Sequence, residues 1–434
     1  MDNKLITPRK LAGFMELEPQ KQIVFDKMLA KIRNVYERNS FLPLDTPILE
    51  LSEILLAKSG GEIDKEVYHF TKGSTDICMR YDLTVPLARF VSMNFDKLNF
   101  PYRRFQMGKV FRGEKPQRGR FREIYQCDID IIGNETLPIC ADSECIKVGY
   151  EIFEELNFEP IIELSNRNIL FGYIEDIGFV EKRNDILTAL DKIDKVGVEN
   201  LKEMLLEIGV DAENTAKLVE LTSLCGPFDS ILEQIQDLST NEIYVKGVNE
   251  LKELNSYLKA MQIPENSYVL KLGVIRGQNY YTGTVIEIRL KGYENLGVVC
   301  GGGRYDNLAS YFTNKHLPGV GISIGLTRIF DILDYQNLLD LNFSPIDLMI
   351  IPLGDTKTKC MELLFYFRKN NVTCEVAYED KSFKSKLKDA NKRNIPYILI
   401  VGEDEVKNNA YAFKDMSSSQ QETLTKEEIL NKLK

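Results

Sequence analysis

The sequence has few metal-binding side chains and no membrane-length apolar run. Its 434 residues include only two histidines, His69 and His316, and eight scattered cysteines without a CxxC pair. This pattern argues against a zinc site, and we expect the thiols to be reduced and buried. No stretch approaches the roughly 18 consecutive apolar residues of a membrane span, and residues 1–10 lack a signal-peptide core. We therefore expect a cytoplasmic protein with no membrane partner.

The charge balance is acidic, with 65 Asp and Glu against 55 Lys and Arg and a net charge of −10. An acidic net charge argues against a protein that binds nucleic acids indiscriminately. It is compatible with a protein that binds them through local basic patches. The apolar fraction of 44% is that of an ordinary globular protein, and the length predicts two or three domains.

The predicted elements change in character twice along the chain. An amphipathic helix at residues 20–39 leads into a Pro-rich extended segment at residues 41–47. Acidic and Lys-rich helical patterns dominate from about residue 171 to residue 264, which predicts an inserted helical domain. After residue 341 strands and helices alternate, which predicts a small α/β domain with parallel pairing. The expected boundaries are 1–170 and 265–335 for an interrupted core fold, 171–264 for the insertion and 345–434 for the α/β domain.

The α/β domain is expected to carry a basic helix. Its predicted elements are strand 346–353, helix 357–370, strand 372–377, helix 382–393 and strand 397–401, with a polar loop at 417–421. Lys384 and Lys388 lie on the second of these helices, within a run of lysines. Such a run is usually a solvated helix face, but it also suits a nucleic-acid backbone.

The most informative stretch is a predicted hairpin at residues 109–133. Val110 and Phe111 predict the end of a strand, and Arg112 and Glu114 follow it. The basic side chains of the turn are Lys115, Arg118, Arg120 and Arg122. In the return strand the alternate positions Gln126, Asp128 and Asp130 form a polar face. This arrangement is suited to hold polyanions beside a small polar ligand. A solvated basic loop would explain the charge, but not the placement of Arg112 and Glu114.

A second polar pair precedes the hairpin. Asp82 and Thr84 are two residues apart, so they share one side of an extended segment and could hold an ammonium group. Thr84 also precedes Val85 and Pro86, which is typical of a helix N-terminus. The capping and binding interpretations both remain open at this point.

Glycine-rich segments with arginines and tyrosines follow the insertion. Arg276 comes after an apolar strand and before a glycine, and Tyr280 and Tyr281 enter the next strand with their side chains on opposite faces. The three glycines at 301–303 allow close backbone approach to a ligand, or simply form a hairpin. Residues 319–328 predict a strand that turns into a helix carrying Arg328. This turn lacks GK[ST] and does not fit a Walker loop.

Together these segments resemble the signature motifs of the histidyl-tRNA synthetases, a family of class II aminoacyl-tRNA synthetases. The arginine hairpin is similar to the second class II motif, and residues 319–328 are similar to the third. The segments at 276–283 and 301–306 are similar to the two histidine-specific signatures, and residues 20–47 resemble the first class II motif, which forms the family's dimer interface. Residues 80–86 resemble the archaeal and eukaryotic branch.

The resemblance spans the chain from about Pro8 to its last residue. It implies an α+β catalytic core, with an antiparallel sheet flanked by helices, a helical insertion and a C-terminal α/β anticodon-binding domain. It also implies a homodimer that uses ATP with Mg²⁺, L-histidine and tRNA(His), and no metal site fixed by protein side chains alone.

Residue roles are implied by the same resemblance. Arg112 and Arg276 would be the catalytic cations at the ATP α-phosphate, Asp82 and Thr84 would hold the substrate amino group, and Asp130 and Tyr281 would contact the imidazole nitrogens. The expected histidine-binding residues are Asp82, Leu83, Thr84, Arg112, Gln126, Asp130, Arg276, Tyr280, Tyr281, Gly302 and Tyr305. The expected ATP-binding residues are Arg112, Glu114, Arg120 and Arg328. The expected tRNA-binding residues are Lys115, Arg118, Lys384 and Lys388.

Three positions depart from the family pattern. Ile124 stands where a Phe usually stacks on adenine, residues 278–279 replace the usual Leu-Asp, and Thr327 replaces a common Glu. None of them removes a catalytic charge. The expected activity is therefore histidine–tRNA ligation. The alternatives are a non-enzymatic regulatory subunit of ATP phosphoribosyltransferase, which resembles the synthetases, and an amino-acid ligase that acts on something other than tRNA.

Overall fold

The computed structural model describes residues 5–57, 66–275 and 281–434. They form two compact units, one comprising residues up to Glu16 and Phe25–Leu338, and the other comprising Leu17–Val24 and Leu339–Lys434. The described helices up to residue 338 are α1 (Pro19–Arg38), α2 (Ser52–Leu55), α3 (Thr84–Asn94), α4 (Cys140–Glu155), α5 (Arg167–Asp176), α6 (Arg183–Leu190), α7 (Ile193–Ile208, interrupted at Gly197), α8 (Ala212–Ser223), α9 (Phe228–Ile235), α10 (Glu242–Ala260) and α11 (Leu326–Tyr335).

The first unit is built on a large, mostly antiparallel sheet. Its described strands are β1 (Leu42–Pro43), β2 (Leu49–Leu51), β3 (His69–Lys72), β4 (Thr75–Met79), β5 (Tyr102–Phe111), β6 (Glu123–Ile132), β7 (Pro160–Asn166), β8 (Cys225–Pro227), β9 (Tyr268–Lys271), β10 (Thr284–Leu290), β11 (Cys300–Tyr305) and β12 (Gly319–Gly325). Nine of these strands form one sheet in the order β1-β5-β6-β12-β11-β10-β7-β9-β8, and β2-β4-β3 form a small second sheet. In the large sheet only the β1/β5 and β7/β9 pairs are parallel. The predicted α+β core is therefore confirmed.

Side-chain alternation along β6 separates an apolar face from a polar one. Cys127 and Ile129 are fully buried on the face that α1 covers, where the Tyr36 hydroxyl donates to the Cys127 carbonyl at 2.8 Å. The stripe of α1 buries Met28, Ile32 and other apolar residues, each contributing about 1.5–3 kcal/mol. Because the apolar face of the sheet is anchored in this way, its opposite face is left for a ligand.

The residues between α5 and β9 are mainly helical. They contain α6 to α10 and one short strand, β8, which pairs antiparallel with β9 at the edge of the large sheet. Residues 171–264 thus contribute both helices and one edge strand to the first unit.

The second unit is a small α/β domain, as the alternation of elements predicts. Its described elements are β13 (Leu348–Pro352), α12 (Lys357–Lys369), β14 (Cys374–Val376), α13 (Phe383–Lys392), β15 (Tyr397–Val401), α14 (Glu403–Asn408), β16 (Tyr411–Asp415), β17 (Gln421–Leu424) and α15 (Lys426–Leu433). The sheet order is β14-β13-β15-β16-β17, with the first three strands parallel and the last two antiparallel. The predicted polar loop joins β16 to β17.

No disulfide joins the eight cysteines, all of which lie in the described ranges, and six of them are buried. The expectation of buried thiols is wrong for Cys225, which is exposed because it lies on the short edge strand β8, and Cys140 is only partly buried. Across the described ranges no helix is long and apolar enough to span a membrane.

Candidate active site

A cavity of about 410 Å³ opens on the polar face of the large sheet; it is called the central cavity below. Its walls come from the start of α3, the β5–β6 hairpin, the adjacent strands β11 and β12, and α11. Eleven predicted site residues line it: Asp82, Thr84, Arg112, Glu114, Arg120, Gln126, Asp130, Tyr281, Gly302, Tyr305 and Arg328. Residues far apart in sequence, and predicted separately, therefore meet in one place.

The floor of the central cavity is the polar face of β6. Gln126, Asp128 and Asp130 alternate along the strand and all three line the cavity. The neighbouring strand β12 presents small residues opposite them, with Gly321 paired to Asp130. A Cβ atom at Gly321 would lie 2.2 Å from Asp130 Oδ1, so only glycine leaves room for that carboxylate.

Asp130 is held by two partners inside the protein. The Tyr305 hydroxyl donates to Asp130 Oδ1 at 2.7 Å, and Arg104 Nη2 lies 2.6 Å from Oδ2. Burial raises the pKa of Asp130 to about 6, while the Arg104 charge and the Tyr305 hydrogen bond oppose the rise. Arg104 was not predicted as a site residue. It is fully buried, and it lies on β5 directly opposite Asp130 of β6.

Asp128 was read from the sequence as part of the polar face, but it was given no role. It is 3% exposed, and its Oδ1 has no hydrogen-bond partner among the described residues. Ser323 of β12 hydrogen-bonds the carboxylate of Asp128 and also accepts from Gln126 Nε2 at 2.6 Å. Burial raises the pKa of Asp128 to about 7; Arg104 and the Ser323 hydrogen bond oppose this, whereas Asp130 and Asp82 add to it.

The segment before α3 combines capping with a place in the site. Asp82 is buried and its Oδ1 accepts from the Val85 backbone N–H at 3.1 Å, so Asp82 caps the helix that begins at Thr84. Burial raises the pKa of Asp82, opposed by this hydrogen bond and by Arg112. Leu83 is buried and does not line the cavity, but its carbonyl accepts from Arg104 Nη2 at 3.3 Å.

Cations line the other part of the central cavity. Arg112 follows β5, and its Nε donates to the Tyr81 carbonyl at 3.1 Å, which fixes the guanidinium. Arg328 Nη1 donates to the Val298 carbonyl at 3.0 Å. Burial lowers the pKa of Arg328, and repulsion from Arg120 adds to the effect. Because a guanidinium stays charged at any working pH, these residues form a permanent anion-binding surface.

Glu114 and two departures from the family pattern also take part in this region. Glu114 lies 3.8 Å from Arg120, as a loose ion pair. Ile124 lines the cavity with an aliphatic side chain at the position where the family pattern has a Phe. Thr327 Oγ1 accepts from the Tyr125 backbone N–H at 2.7 Å, which ties β6 to α11.

The histidine signature at residues 276–283 lies partly outside the described residues. Arg276 and Tyr280, as well as the departures at 278–279, fall in this gap. Tyr281 is described: it is 6% exposed, lines the cavity, and its carbonyl accepts from Arg167 Nη1 at 2.9 Å.

The predicted tRNA-binding residues lie outside the central cavity. Lys115 and Arg118 are exposed on the hairpin loop, and the Arg118 guanidinium stacks 3.1 Å from the ring centroid of Tyr335. Lys384 and Lys388 are exposed on α13 in the second unit, where Lys388 lines a groove of about 780 Å³.

The described residues include no group of three or more His, Cys, Asp or Glu side chains arranged to hold a metal ion. The central cavity itself places guanidiniums beside buried carboxylates. Such an arrangement can hold an anion and a small amino-bearing ligand together.

Two family models match the chain. Residues 13–329 match the model described as histidyl-tRNA synthetase, and residues 347–434 match the model described as anticodon binding domain. The chain is also 44% identical to the histidine–tRNA ligase of Clostridium tetani, with 100% of each chain covered.

Solved structures with a similar fold include a member of the same family. The histidyl-tRNA synthetase from Nostoc has a TM-score of 0.89 at 30% identity and covers 99% of both chains. A Bacillus halodurans protein, described as an ATP phosphoribosyltransferase regulatory subunit/histidyl-tRNA synthetase, has a TM-score of 0.77 at 18% identity over 92% of this chain and 99% of that one. This second likeness shows a shared fold alone.

These relatives are bacterial, so the comparisons do not support the expected archaeal or eukaryotic branch. The family model for the synthetase covers more than half of the chain, and full-length relatives carry the same name. The chain therefore belongs to the histidyl-tRNA synthetase family of class II aminoacyl-tRNA synthetases, and its activity is that of a histidine–tRNA ligase.

Proposed function

We propose that the central cavity carries both steps of histidine–tRNA ligation. Histidine and ATP would give histidyl-adenylate and pyrophosphate, and a ribose hydroxyl of the terminal adenosine of tRNA(His) would then take the histidyl group. The observation that carries the proposal is the position of Arg112. It lies beside Asp82 at the border between the guanidiniums and the buried carboxylates of a single cavity.

The guanidinium side would bind ATP. Attack of a carboxylate on an α-phosphate brings negative charges together, so fixed cations lower the barrier. Arg112 and Arg276 would act at the α-phosphate, Glu114 and Arg120 would lie near the nucleotide, and Arg328 would cover the adenine and reach the γ-phosphate. Mg²⁺ would neutralise further phosphate charge and would enter with ATP.

The carboxylate side would bind histidine. Asp82 and Thr84 would hold the α-amino group next to Leu83, and Arg112 would hold the α-carboxylate. The imidazole would lie between Asp130 and Tyr281. The remaining pocket residues would be Gln126, Arg276, Tyr280, Gly302 and Tyr305.

RNA would be held by local basic surfaces despite the acidic total. Lys115 and Arg118 are exposed on the loop that extends from the central cavity, where the acceptor end of a tRNA would enter. Lys384 and Lys388 are exposed on α13 of the domain that matches the anticodon-binding model. Residues 1–170 and 265–335 would form the catalytic core, 171–264 the helical insertion and 345–434 the anticodon-binding domain, in a cytoplasmic enzyme.

A homodimer is supported by an exposed apolar surface next to the first class II motif, defined by Leu49, Leu51, Phe70 and Met93. Met93 is 74% exposed and lines a shallow groove with Leu51. Leu49→Glu should shift sedimentation velocity from dimer to monomer, whereas Leu206→Glu, at an exposed leucine of α7, should not. Equal assembly of both variants would contradict this interface.

The experiment that tests the proposed function is histidine-dependent ATP–pyrophosphate exchange, followed by charging of total tRNA. Exchange and charging with histidine alone among the amino acids would support the assignment. Exchange without charging would favour a ligase with another acceptor. Histidine binding without exchange, together with activation of an added ATP phosphoribosyltransferase, would favour the regulatory subunit.

A further inference from the structure

The turn at the tip of the β5–β6 hairpin is a small closed unit that lies against α11; it is called the hairpin turn below. It consists of residues 117–120, and the backbones of Gln117 and Arg120 exchange two hydrogen bonds, at 3.1 Å and 2.9 Å. Gly119 has a φ of +69°, a left-handed conformation that glycine adopts without strain. The two central residues of the turn, Arg118 and Gly119, both contact α11.

One face of α11 receives the hairpin turn. The residues of this face are spaced at i, i+3, i+4 and i+7, as on one side of a helix: Arg328, Asp331, Ile332 and Tyr335. The Gly119 N–H donates to Asp331 Oδ2 at 3.1 Å. A Cβ atom at Gly119 would lie 3.5 Å from the Arg328 side chain and 3.7 Å from that of Ile332, so the turn packs directly on the helix.

The Arg118 side chain extends this contact to the end of α11. Its guanidinium carbon lies 3.1 Å from the ring centroid of Tyr335, the last residue of the helix. The last turn of α11 has no basic residue of its own, and a cation is favoured at the C-terminal end of a helix dipole. Both the aromatic ring and the helix end therefore attract the Arg118 charge.

The stack leaves the hydrogen-bonding edges of Arg118 accessible to a ligand. A guanidinium that lies flat on a ring keeps its N–H donors in its own plane, where they can reach phosphate oxygens. Arg118 is exposed and Tyr335 is 60% exposed, so RNA can approach both side chains. A free arginine loses side-chain entropy when it binds a phosphate, and an arginine already held on a ring loses less.

We propose that Tyr335 is a positioning residue that holds Arg118 on α11, with its guanidinium oriented to bind a phosphate of tRNA. The Asp331 carboxylate anchors the backbone of the hairpin turn, and the Tyr335 ring orients the one cation. The proposal rests on the RNA contact that the proposed function gives to Arg118. It adds a helix residue that does not line the central cavity.

Steady-state charging of a tRNA(His) transcript by the full-length chain tests the proposal. Tyr335→Ala should raise the tRNA KM by about 2- to 5-fold, the range for an exposed cation–π contact, and leave the ATP KM of pyrophosphate exchange near wild type. Tyr335→Trp keeps a flat ring and should restore the wild-type tRNA KM. Asp331→Ala releases the whole turn, which also carries Arg120 at the cavity, and should raise the KM of both tRNA and ATP.

A double-mutant cycle shows whether Tyr335 acts through Arg118. Arg118→Ala should raise the tRNA KM at least as much as Tyr335→Ala does. The combined variant should be no worse than Arg118→Ala alone, because the ring then has no cation to position. Tyr311→Ala, at another exposed tyrosine of the first unit, is the matched control and should leave both KM values near wild type.

The stack itself can be measured without RNA. The chain has no tryptophan, so the indole introduced by Tyr335→Trp is the only one. Acrylamide should quench its fluorescence more strongly when Arg118→Ala is added, because the guanidinium then no longer covers the ring. This measurement separates the contact from its effect on RNA.

Three results would overturn the proposal. The first is additive losses in tRNA KM for the Arg118 and Tyr335 variants, since independent effects mean that the ring does not act through the cation. The second is equal acrylamide quenching with and without Arg118. The third is an unchanged or lowered tRNA KM in Tyr335→Ala; a lowered value would mean that the stack withholds Arg118 from RNA. A wild-type chain that charges no tRNA would refute the proposed function itself, whereas the quenching result would stand apart from that failure.

Discussion

Removing the Arg104 charge should damage histidine recognition more than it damages the fold. Arg104 and Asp130 form a buried ion pair at the central cavity, and Arg304 and Asp142 form a second buried pair in the same unit. Breaking such a pair by removing one partner costs about 3–5 kcal/mol, because the remaining charge is left buried. The two pairs are therefore a matched comparison between a site residue and a structural one.

The magnitude should differ between the two variants. Arg304 donates to both oxygens of Asp142 and to the Leu137 and Pro138 carbonyls, so Arg304→Met loses several satisfied bonds. Arg104 Nε and Nη1 lack partners within the described ranges, which is already a cost in the native protein. We expect a loss of about 2–3 kcal/mol in the free energy of unfolding for Arg104→Met and about 4–5 kcal/mol for Arg304→Met.

Urea denaturation and pyrophosphate exchange should give opposite rankings. Arg104→Met, the milder stability variant, should raise the histidine KM strongly, because an unpaired Asp130 takes up a proton and no longer shapes the pocket. Arg304→Met should keep a histidine KM near wild type while it remains folded. Combining Arg104→Met with Asp130→Asn should recover stability but not histidine binding. If both single variants change the histidine KM alike, or the double variant binds histidine normally, Arg104 has no specific part in recognition.

Three other predictions follow from charges in the two units. The pKa of Asp128 is about 7 in the folded protein and about 3.9 in an unfolded chain, so its ionisation opposes folding as pH rises. Urea denaturation should therefore show that Asp128→Asn gains about 1–3 kcal/mol of stability relative to wild type between pH 5 and pH 8. A stability difference that does not change with pH would contradict this. Arg276→Ala should slow pyrophosphate exchange by about 100-fold or more while calorimetric histidine affinity without ATP changes little, and an unaltered exchange rate would remove Arg276 from the mechanism. Replacing Lys384, Lys388 and Lys392 with Ala should weaken tRNA binding and reduce its salt dependence by about one unit of slope per lost phosphate contact, with adenylate formation intact; unchanged affinity would mean a solvated helix face.

The polar face of β6 could be predicted from the sequence because strand alternation is local. Residues two apart share a face, so Gln126 and Asp130 were placed together before any pairing was known. The same holds for the alternation of strands and helices in the second unit. The hairpin of β16 and β17 was missed there, since only its polar turn was recognised, and short strands beside polar residues give weak patterns.

Arg104 could not be predicted in the same way, because its role depends on the pairing register of two strands. It faces Asp130 only because β5 and β6 pair with that register, and its neighbours on the same face, Gln106 and Gly108, lie opposite Asp128 and Gln126. A usable pattern was present: an arginine on the polar face of an otherwise buried strand. In a soluble protein such a residue needs a carboxylate partner, so its presence indicates a charged cluster before the partner is known.

The separation of charge within the central cavity explains how an acidic protein can activate an amino acid with a polyanion. Arg120 and Arg328 lie close enough to repel one another, whereas, besides burial, Asp82 raises the pKa of both Asp128 and Asp130, and Asp130 also raises the pKa of Asp128. Arg112 lies next to Asp82 and borders both groups. In the proposed complex, ATP would therefore be favoured on the cationic side, and the amino group and imidazole of histidine on the acidic side. The two reacting groups, a carboxylate and an α-phosphate, are both anions, and both would be drawn to Arg112. The cavity would thus orient the substrates by charge before any step of the reaction takes place.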